Sequence, residues 1–186
     1  MSYQPNDLHS FEVYESPPIT NLTPLTYYSI PSVYSPEEEL MSNLGQVGEW
    51  SKDQHGSRTV QNILEDCEDE IKQMIFNAIF SDALILIKDR FGNYVFQKFF
   101  EKGLEHQKNQ LYSLLKGKVV ELSLHAFGCR VIQKAIDYIA NKPTEQTLFM
   151  MEINHYLMEM IQNQNGNHVV QKCLETFNHD KIENLA

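Results

Sequence analysis

Four six-residue stretches of this chain share one frame, which begins with glycine and ends with glutamine. They read "GSRTVQ" at 56–61, "GNYVFQ" at 92–97, "GCRVIQ" at 128–133 and "GNHVVQ" at 166–171. The glycines follow one another at intervals of 36, 36 and 38 residues. A period of this length is typical of stacked supersecondary units. We number the residues after each glycine as positions one to five of frames one to four.

The sequence around the frames predicts helices. From about residue 44, apolar residues recur at three- and four-residue spacing, as in "IKQMIFNAIF" at 71–80, and Pro143 is the one proline left. This pattern is typical of amphipathic helices. We expect one helix to end before each glycine, which would break it with a positive φ, and the next helix to start at position one. The region is predicted to be an all-α solenoid, because single units of this size cannot bury their apolar faces alone.

The positions of the frame divide into two groups. Positions three and four are mostly apolar and are predicted to face the core: Thr59, Val60, Val95, Phe96, Val131, Ile132, Val169 and Val170. Positions one, two and five are polar or able to stack: Ser57, Arg58, Gln61, Asn93, Tyr94, Gln97, Cys129, Arg130, Gln133, Asn167, His168 and Gln171. Positions one and five are four residues apart, so they share a helix face, with position two at its edge.

The second group predicts a nucleic-acid surface. Stacked units would place four planar or cationic side chains in a row (Arg58, Tyr94, Arg130 and His168), each beside a glutamine amide. Unpaired bases are bound by flat groups that stack on them and by hydrogen bonds to their edges. A protein that serves only as a scaffold has no need of glutamine at position five of all four frames.

Four longer segments extend the frames: "DQHGSRTVQ", "FGNYVFQKFFE", "GCRVIQKA" and "QNGNHVVQKCLE". In this order they resemble the first four repeats of a Pumilio homology domain, over residues 44–186. The resemblance implies a right-handed α-solenoid of about four three-helix repeats, at about 44–79, 80–115, 116–152 and 153–186. It also implies that positions one and five address the Watson–Crick edge of a base and that position two stacks between bases.

The function that the resemblance implies is sequence-specific binding of single-stranded RNA. In the family's code, Asn with Gln reads uracil, whereas Ser or Cys with Gln reads adenine. With RNA antiparallel to the protein, the four frames read 5′-UAUA-3′. The implied targets are 3′ untranslated regions of messenger RNAs, and the implied further partners are translational repressors and deadenylation proteins. The chain departs from the family in having four repeats rather than eight and no guanine-reading frame.

The first 43 residues differ in composition from the rest. They hold six of the seven prolines and show no helical or strand period, which predicts a disordered tail. Residues 1–50 carry seven acids and no Lys or Arg, so 51–186 carry 15 bases against 18 acids. The net charge of −10 therefore does not exclude an RNA partner. The chain has no signal-peptide pattern and no apolar run long enough for a membrane, so we expect a cytoplasmic protein.

Other function classes have less support. No catalytic motif and no metal-ligand spacing occurs, which predicts a protein that is not an enzyme and has no cofactor or metal. A protein-binding solenoid of the HEAT or armadillo type is one alternative, and an RNA-binding protein without sequence preference is another. Three lysines that follow a closing glutamine either reach phosphates or stay solvated: Lys98, Lys134 and Lys172.

Overall fold

The computed structural model describes residues 35–177, which form twelve α-helices and two short 3₁₀ segments and contain no strand. No helix in this part of the chain is long and apolar enough to cross a membrane. The helices are α1 (Pro36–Ser42), α2 (Val47–Lys52), α3 (Gln54–Asp66), α4 (Asp69–Ile79), α5 (Ala83–Ile87), α6 (Gly92–Lys102), α7 (Glu105–Leu115), α8 (Val119–Leu124), α9 (Gly128–Tyr138), α10 (Pro143–Asn154), α11 (Leu157–Gln162) and α12 (Gly166–Thr176).

The helices repeat in threes. A short helix is followed by the helix that carries the frame and then by a third helix, as in α2–α3–α4, α5–α6–α7 and α8–α9–α10. The described part of the fourth unit consists of α11 and α12. The frame helices α3, α6, α9 and α12 pack side by side, each against the next. The prediction of an all-α solenoid is therefore confirmed.

The core runs continuously through the units. Positions three and four of the frames are buried, as predicted, with the exception of Thr59, which is half-buried. The equivalent residues Val95, Val131 and Val169 lie on helices that follow another frame helix. In the first unit, α3 contacts α1 instead, and a depression of about 410 Å³ between Glu39 and Thr59 leaves the threonine in contact with solvent.

The predicted tail extends too far along the chain. Residues 1–34 lie outside the described residues, but Pro36–Ser42 form α1 rather than an irregular segment. The Ser35 side chain accepts a hydrogen bond from the Glu38 backbone N–H at 3.2 Å, and the Glu38 carboxylate accepts one from the Ser35 N–H at 2.8 Å. This capping box starts the helix, and Leu40 is fully buried. The other domain boundaries remain predictions.

Ion pairs connect neighbouring units in a regular series, which we call the lysine ladder. Each lysine after a closing glutamine bonds to an acid of the preceding frame helix: Lys98 to Glu65 at 2.6 Å, Lys134 to Glu101 at 2.5 Å and Lys172 to Asp137 at 2.6 Å. These lysines are therefore neither simply solvated nor free to reach a phosphate without breaking a pair. The lysine hydrogen bonds, from Lys102 first and then Lys98, lower the pKa of Glu65 to about 2.

Candidate nucleic-acid interface

Each frame helix starts from a capping residue three positions before the glycine. The Asp53 carboxylate accepts hydrogen bonds from the N–H groups of His55 and Gly56, both at 2.8 Å. These bonds, that from Gly56 first, lower the pKa of Asp53. Equivalent caps start the other frame helices: Asp89 at 2.8 Å, His125 through Nδ1 at 3.2 Å, and Asn163 at 2.8 and 2.9 Å. The sequence alone did not single out Asp53, Asp89 and Asn163, although they recur at the intervals of the glycines.

The helices consequently begin earlier than predicted. The frame pattern predicts that they start at position one, whereas α6, α9 and α12 begin at the glycine and α3 begins at Gln54. The cap side chains satisfy backbone N–H groups that would otherwise have no partner in the first turn. The residue at position one is therefore not needed as a cap, and its side chain can contribute to the polar surface.

The frame glycines do not have the positive φ that is predicted for residues that break a helix; among the described glycines, only Gly117 does. They are needed for space, because a Cβ atom on Gly92 would lie 2.7 Å from the Leu86 carbonyl oxygen. The same contact would occur in the other units: 2.4 Å from Gly56 to Trp50, 2.9 Å from Gly128 to Leu122 and 2.7 Å from Gly166 to Met160. The glycine thus lets the short helix pack against the first turn of the frame helix.

Position one lies at the base of the surface. Ser57, Asn93 and Cys129 are buried, and each donates a hydrogen bond to the carbonyl oxygen three residues earlier, at 3.3, 2.9 and 3.5 Å respectively. Burial raises the pKa of the Cys129 thiol, which favours the S–H form that makes this bond. Asn167 is half-buried, and its side chain makes no hydrogen bond within residues 35–177.

Position five is oriented by a bond to the preceding turn. The side-chain amide of Gln61 donates to the Ser57 carbonyl oxygen at 3.0 Å, and that of Gln133 donates to the Cys129 carbonyl oxygen at 3.1 Å. Gln97 donates to the Asn93 Oδ1 atom at 2.8 Å. Each bond uses one N–H and leaves the glutamine with one donor and one acceptor for a ligand. Gln171 is exposed and makes no such bond within the described part of the chain.

Position two supplies the exposed flat groups. Arg58, Tyr94, Arg130 and His168 are all exposed. Within residues 35–177, their side chains form no hydrogen bond, ion pair or ring contact. These groups are therefore available to a ligand without loss of an internal contact.

One slot shows how the three positions combine. It has a volume of about 330 Å³ and lies between frames one and two. Ser57 and Gln61 line it together with Arg58, and Tyr94 of the next frame lines it as well. Gln54 and Phe91 complete the lining. A planar group in this slot would meet a guanidinium, a phenol ring and an amide with both a donor and an acceptor.

Stacked three-helix units with this repeated polar surface define an α-solenoid repeat protein. The model of the Pumilio-family RNA binding repeat matches residues 46–80, 83–115, 118–151 and 156–186. The chain therefore belongs to the Pumilio family, as its resemblance predicted.

Similar proteins from other organisms are also Pumilio homologues. The chain is 44% identical to Pumilio homolog 1 of Xenopus laevis over 113 residues, which are 61% of this chain and 9% of the relative. It is 35% identical to Pumilio homolog 12 of Arabidopsis thaliana over 134 residues, or 70% of this chain and 22% of the relative. The chain thus matches less than a quarter of the length of either relative.

Solved structures resemble the fold closely. The Puf3 RNA binding domain bound to Cox17 RNA 3′ UTR recognition sequence site B is 44% identical and superposes with a TM-score of 0.74. This match covers 78% of the present chain and 41% of that domain. The structure of PUF-8 in complex with PBE-RNA is 33% identical, with a TM-score of 0.73, and the match covers 86% and 45% of the two chains.

Proposed function

We propose that this chain binds single-stranded RNA sequence-specifically, with one base at each frame, and reads 5′-UAUA-3′. The observation that carries the proposal is the slot formed by Ser57, Arg58, Gln61 and Tyr94. Its two flat walls suit the faces of a base, and its amide suits the edge of one. The similar solved structures of Puf3 and PUF-8 are complexes with RNA, which supports the same class of ligand.

The proposed mechanism needs no covalent chemistry. A base enters between the position-two side chains of successive frames, where stacking contributes about 1–3 kcal/mol per base. The oriented glutamine then offers an acceptor and a donor to the edge of the base. Uracil presents an N–H beside a carbonyl, and adenine presents a ring nitrogen beside an amino group, so the remaining donor and acceptor of a glutamine amide can pair with the edge of either base.

Position one distinguishes the two bases by size. Asn93 fills the base of frame two and holds Gln97 through its Oδ1 atom, which leaves room for the smaller uracil. Ser57 and Cys129 are shorter and leave room for adenine in frames one and three. We assign the antiparallel direction by family resemblance, so frame four meets the 5′ uracil and frame one the 3′ adenine.

The biological role that fits this activity is post-transcriptional. The chain would mark messenger RNAs in their 3′ untranslated regions, and repressor or deadenylation proteins would then act on the marked RNA. A protein-binding scaffold of the HEAT or armadillo type remains a weaker alternative. It gives no reason for the repeated pairing of an oriented glutamine with an exposed flat side chain.

Fluorescence anisotropy with a short labelled RNA tests the proposal. An RNA that contains UAUA is compared with one that contains CCCC in its place. With about four stacked bases we expect a dissociation constant of about a micromolar or weaker for UAUA. We expect weaker binding to CCCC. Equal binding to both would leave only non-specific RNA binding, and binding to neither would favour a protein ligand.

A double variant links this preference to the frame. Asn93→Ala with Gln97→Ala removes the reader pair of frame two, and we expect it to remove the preference for UAUA. The matched control is Gln110→Ala with Asn141→Ala, which removes the same two residue types from exposed positions outside the frames. We expect the control to bind as the unmodified chain does.

A further inference from the structure

The residue two positions before each frame glycine lies beside the frames and differs in charge among the four units. It is exposed in every unit, as Gln54, Arg90, Ala126 and Gln164. In the first unit, Gln54 lines the slot of frame one. By the regular interval of the frames, Arg90 takes the same place beside frame two. Frame two is therefore the one frame with a charged residue at this place.

Two contacts place Arg90 at the boundary between frames one and two. Its guanidinium carbon lies 5.3 Å from the ring centroid of Phe91, which lines the slot of frame one. Its backbone carbonyl oxygen accepts a hydrogen bond from the side-chain amide nitrogen of Asn93 at 2.9 Å. Asn93 occupies position one of frame two. Arg90 thus contacts a residue of each of the two neighbouring sites.

The positive charge of Arg90 is not paired with an acid. Within residues 35–177, its side chain forms no ion pair and no hydrogen bond, and it is exposed. The adjacent Asp89 carboxylate accepts hydrogen bonds from the N–H groups of Phe91 and Gly92 instead. Arg90 is therefore available to an anionic ligand. By contrast, eight lysines in the same part of the chain are paired with a carboxylate: Lys52, Lys72, Lys88, Lys98, Lys102, Lys134, Lys142 and Lys172.

A bound RNA would have an anion at this boundary. Phe91 and Tyr94 line the slot of frame one from the side of frame two, so they separate the bases at frames one and two. The phosphodiester that joins these two nucleotides has to pass this wall. A guanidinium suits it, because its planar group donates two parallel hydrogen bonds to phosphate oxygens. Lys98, further along the same frame helix, is already paired with Glu65.

We propose that Arg90 binds the phosphate between the uridine of frame two and the adenosine of frame one, which is the third linkage of 5′-UAUA-3′. This inference rests on the proposed function. Contacts to phosphates contribute affinity and fix the position of a nucleic acid, but they do not read its sequence. Arg90 therefore holds the RNA in place while Asn93 and Gln97 read the base. The equivalent residues of the other frames are uncharged, so this contribution is confined to one linkage.

A protein variant tests the contact. Arg90→Gln introduces the residue that the first and fourth units have at this place. We expect binding to UAUA to weaken about three- to tenfold at low salt, because a charged hydrogen-bonded contact is lost. We expect the slope of log K against log salt to fall by about 0.7, and the preference for UAUA over CCCC to stay. The matched control is Lys116→Gln, which removes the same charge from an exposed residue after α7, outside the frame helices, and should bind as the unmodified chain does.

A chemical change in the RNA locates the contact. An uncharged methylphosphonate replaces the phosphate either at the third linkage of UAUA or at the second, which joins the nucleotides of frames three and two. All the RNAs, including the reference, carry the same 2′-O-methyl groups beside these linkages, so that no 2′-hydroxyl cleaves the methylphosphonate. We expect the third-linkage change to weaken binding of the unmodified chain as much as Arg90→Gln does, and to weaken binding of Arg90→Gln no further. The second-linkage change should affect both proteins equally.

The outcomes separate this inference from the proposed function. If the third-linkage change leaves the affinity of the unmodified chain as it is, the inference is overturned, and this result does not depend on how a variant folds. Equal losses from that change in the unmodified chain and in Arg90→Gln would overturn it too, as would a loss of the preference for UAUA in Arg90→Gln. In these cases the unmodified chain still prefers UAUA. Equal binding of the unmodified chain to UAUA and CCCC would overturn the proposed function and the inference with it.

Discussion

Gly92 lies so close to the Leu86 carbonyl oxygen that a Cβ atom on residue 92 would be 2.7 Å from it. Leu86 belongs to α5 and Gly92 is the first residue of α6. Real Cβ atoms do not approach backbone oxygen atoms so closely, so the packing of a short helix against its frame helix requires a residue without a side chain. The glycine therefore sets the distance between the short helix and the frame helix of each unit.

Replacing this glycine should be destabilising. We expect Gly92→Ala to lower the free energy of unfolding by about 1–3 kcal/mol, because the new methyl group overpacks a rigid backbone contact. Urea denaturation followed by circular dichroism measures the change. Gly48→Ala is the control, since nothing lies within 4 Å of a Cβ atom there. It should be neutral or stabilising by up to about 1 kcal/mol, through the helix propensity of alanine. Equal losses in both variants would contradict the close-packing account.

The cap of α6 should also matter for stability. Asp89→Ala removes the acceptor of the Phe91 and Gly92 N–H groups, and we expect a loss of about 0.5–2 kcal/mol in the free energy of unfolding. Asp89→Asn keeps an acceptor oxygen in place, as Asn163 does in the fourth unit. Denaturation curves should therefore place the Asn variant close to the unmodified chain. An Asn variant as unstable as the Ala variant would show that the charge, and not the cap geometry, is what stabilises the helix.

The lysine ladder predicts a dependence of stability on pH. The hydrogen bonds from Lys102 and Lys98 depress the pKa of Glu65 from 4.5 to about 2. A carboxylate whose pKa is lower in the folded chain than in the unfolded chain stabilises the folded state fully at pH values above its pKa in the unfolded chain. This contribution disappears as the pH falls through its pKa in the folded chain. The melting temperature of the unmodified chain should therefore exceed that of the Glu65→Gln variant at neutral pH. This difference in melting temperature should disappear between about pH 4.5 and pH 2.

The control for this titration is Glu70→Gln. Glu70 is exposed and forms no ion pair in the part of the chain that the structure describes. Its melting temperature should stay close to that of the unmodified chain at every pH. If the difference in melting temperature between the unmodified chain and Glu65→Gln stays constant down to pH 2, the Glu65 side chain contributes through packing and not through its charge.

The ladder also bears on how RNA binding should respond to salt. Lys134 is held by Glu101, so we expect Lys134→Met to leave the salt dependence of RNA binding unchanged while it lowers the melting temperature. A lysine that contacts a phosphate would contribute about 0.7 to the slope of log K against log salt for a single strand. Anisotropy titrations at several salt concentrations measure this slope. A slope that falls by about 0.7 in the variant would show that Lys134 leaves Glu101 for the RNA.

The period and the chemistry of the frame were sufficient to predict the fold. The recurrence of "GNYVFQ"-like frames defined the units, and polarity placed positions two and five on the surface, whereas three of the four residues at position one are buried. The reason for each glycine was not predictable, because the contact between Gly92 and Leu86 exists only once the two helices are packed. The caps were harder to recognise because Asp89, His125 and Asn163 are different residue types and share only their location, three residues before the frame glycine.

Two further differences have local causes. The start of α1 was hidden within a segment rich in proline, although Ser35, Pro36 and Glu38 form a recognisable capping signal. The burial of Ser57, Asn93 and Cys129 at position one could not be read from the frames, because it depends on how the helices pack and not on the polarity of the residue. Residue identity thus predicted which side chains form the surface, and packing decides how firmly each one is held.

The direction of the lysine ladder has a consequence for how such a chain can lengthen. Each lysine reaches back to the acid of the unit before it, and the first unit has Asn62 where the later ones have lysine. A tandem duplication of residues 92–127 would keep every rung, since the copy of Lys98 would meet Glu101 and the copy of Glu101 would meet Lys134. A duplicated first unit would bring Asn62 and leave an acid unmatched. An added interior unit would therefore keep the series of ion pairs complete, whereas an added copy of the first unit would interrupt it.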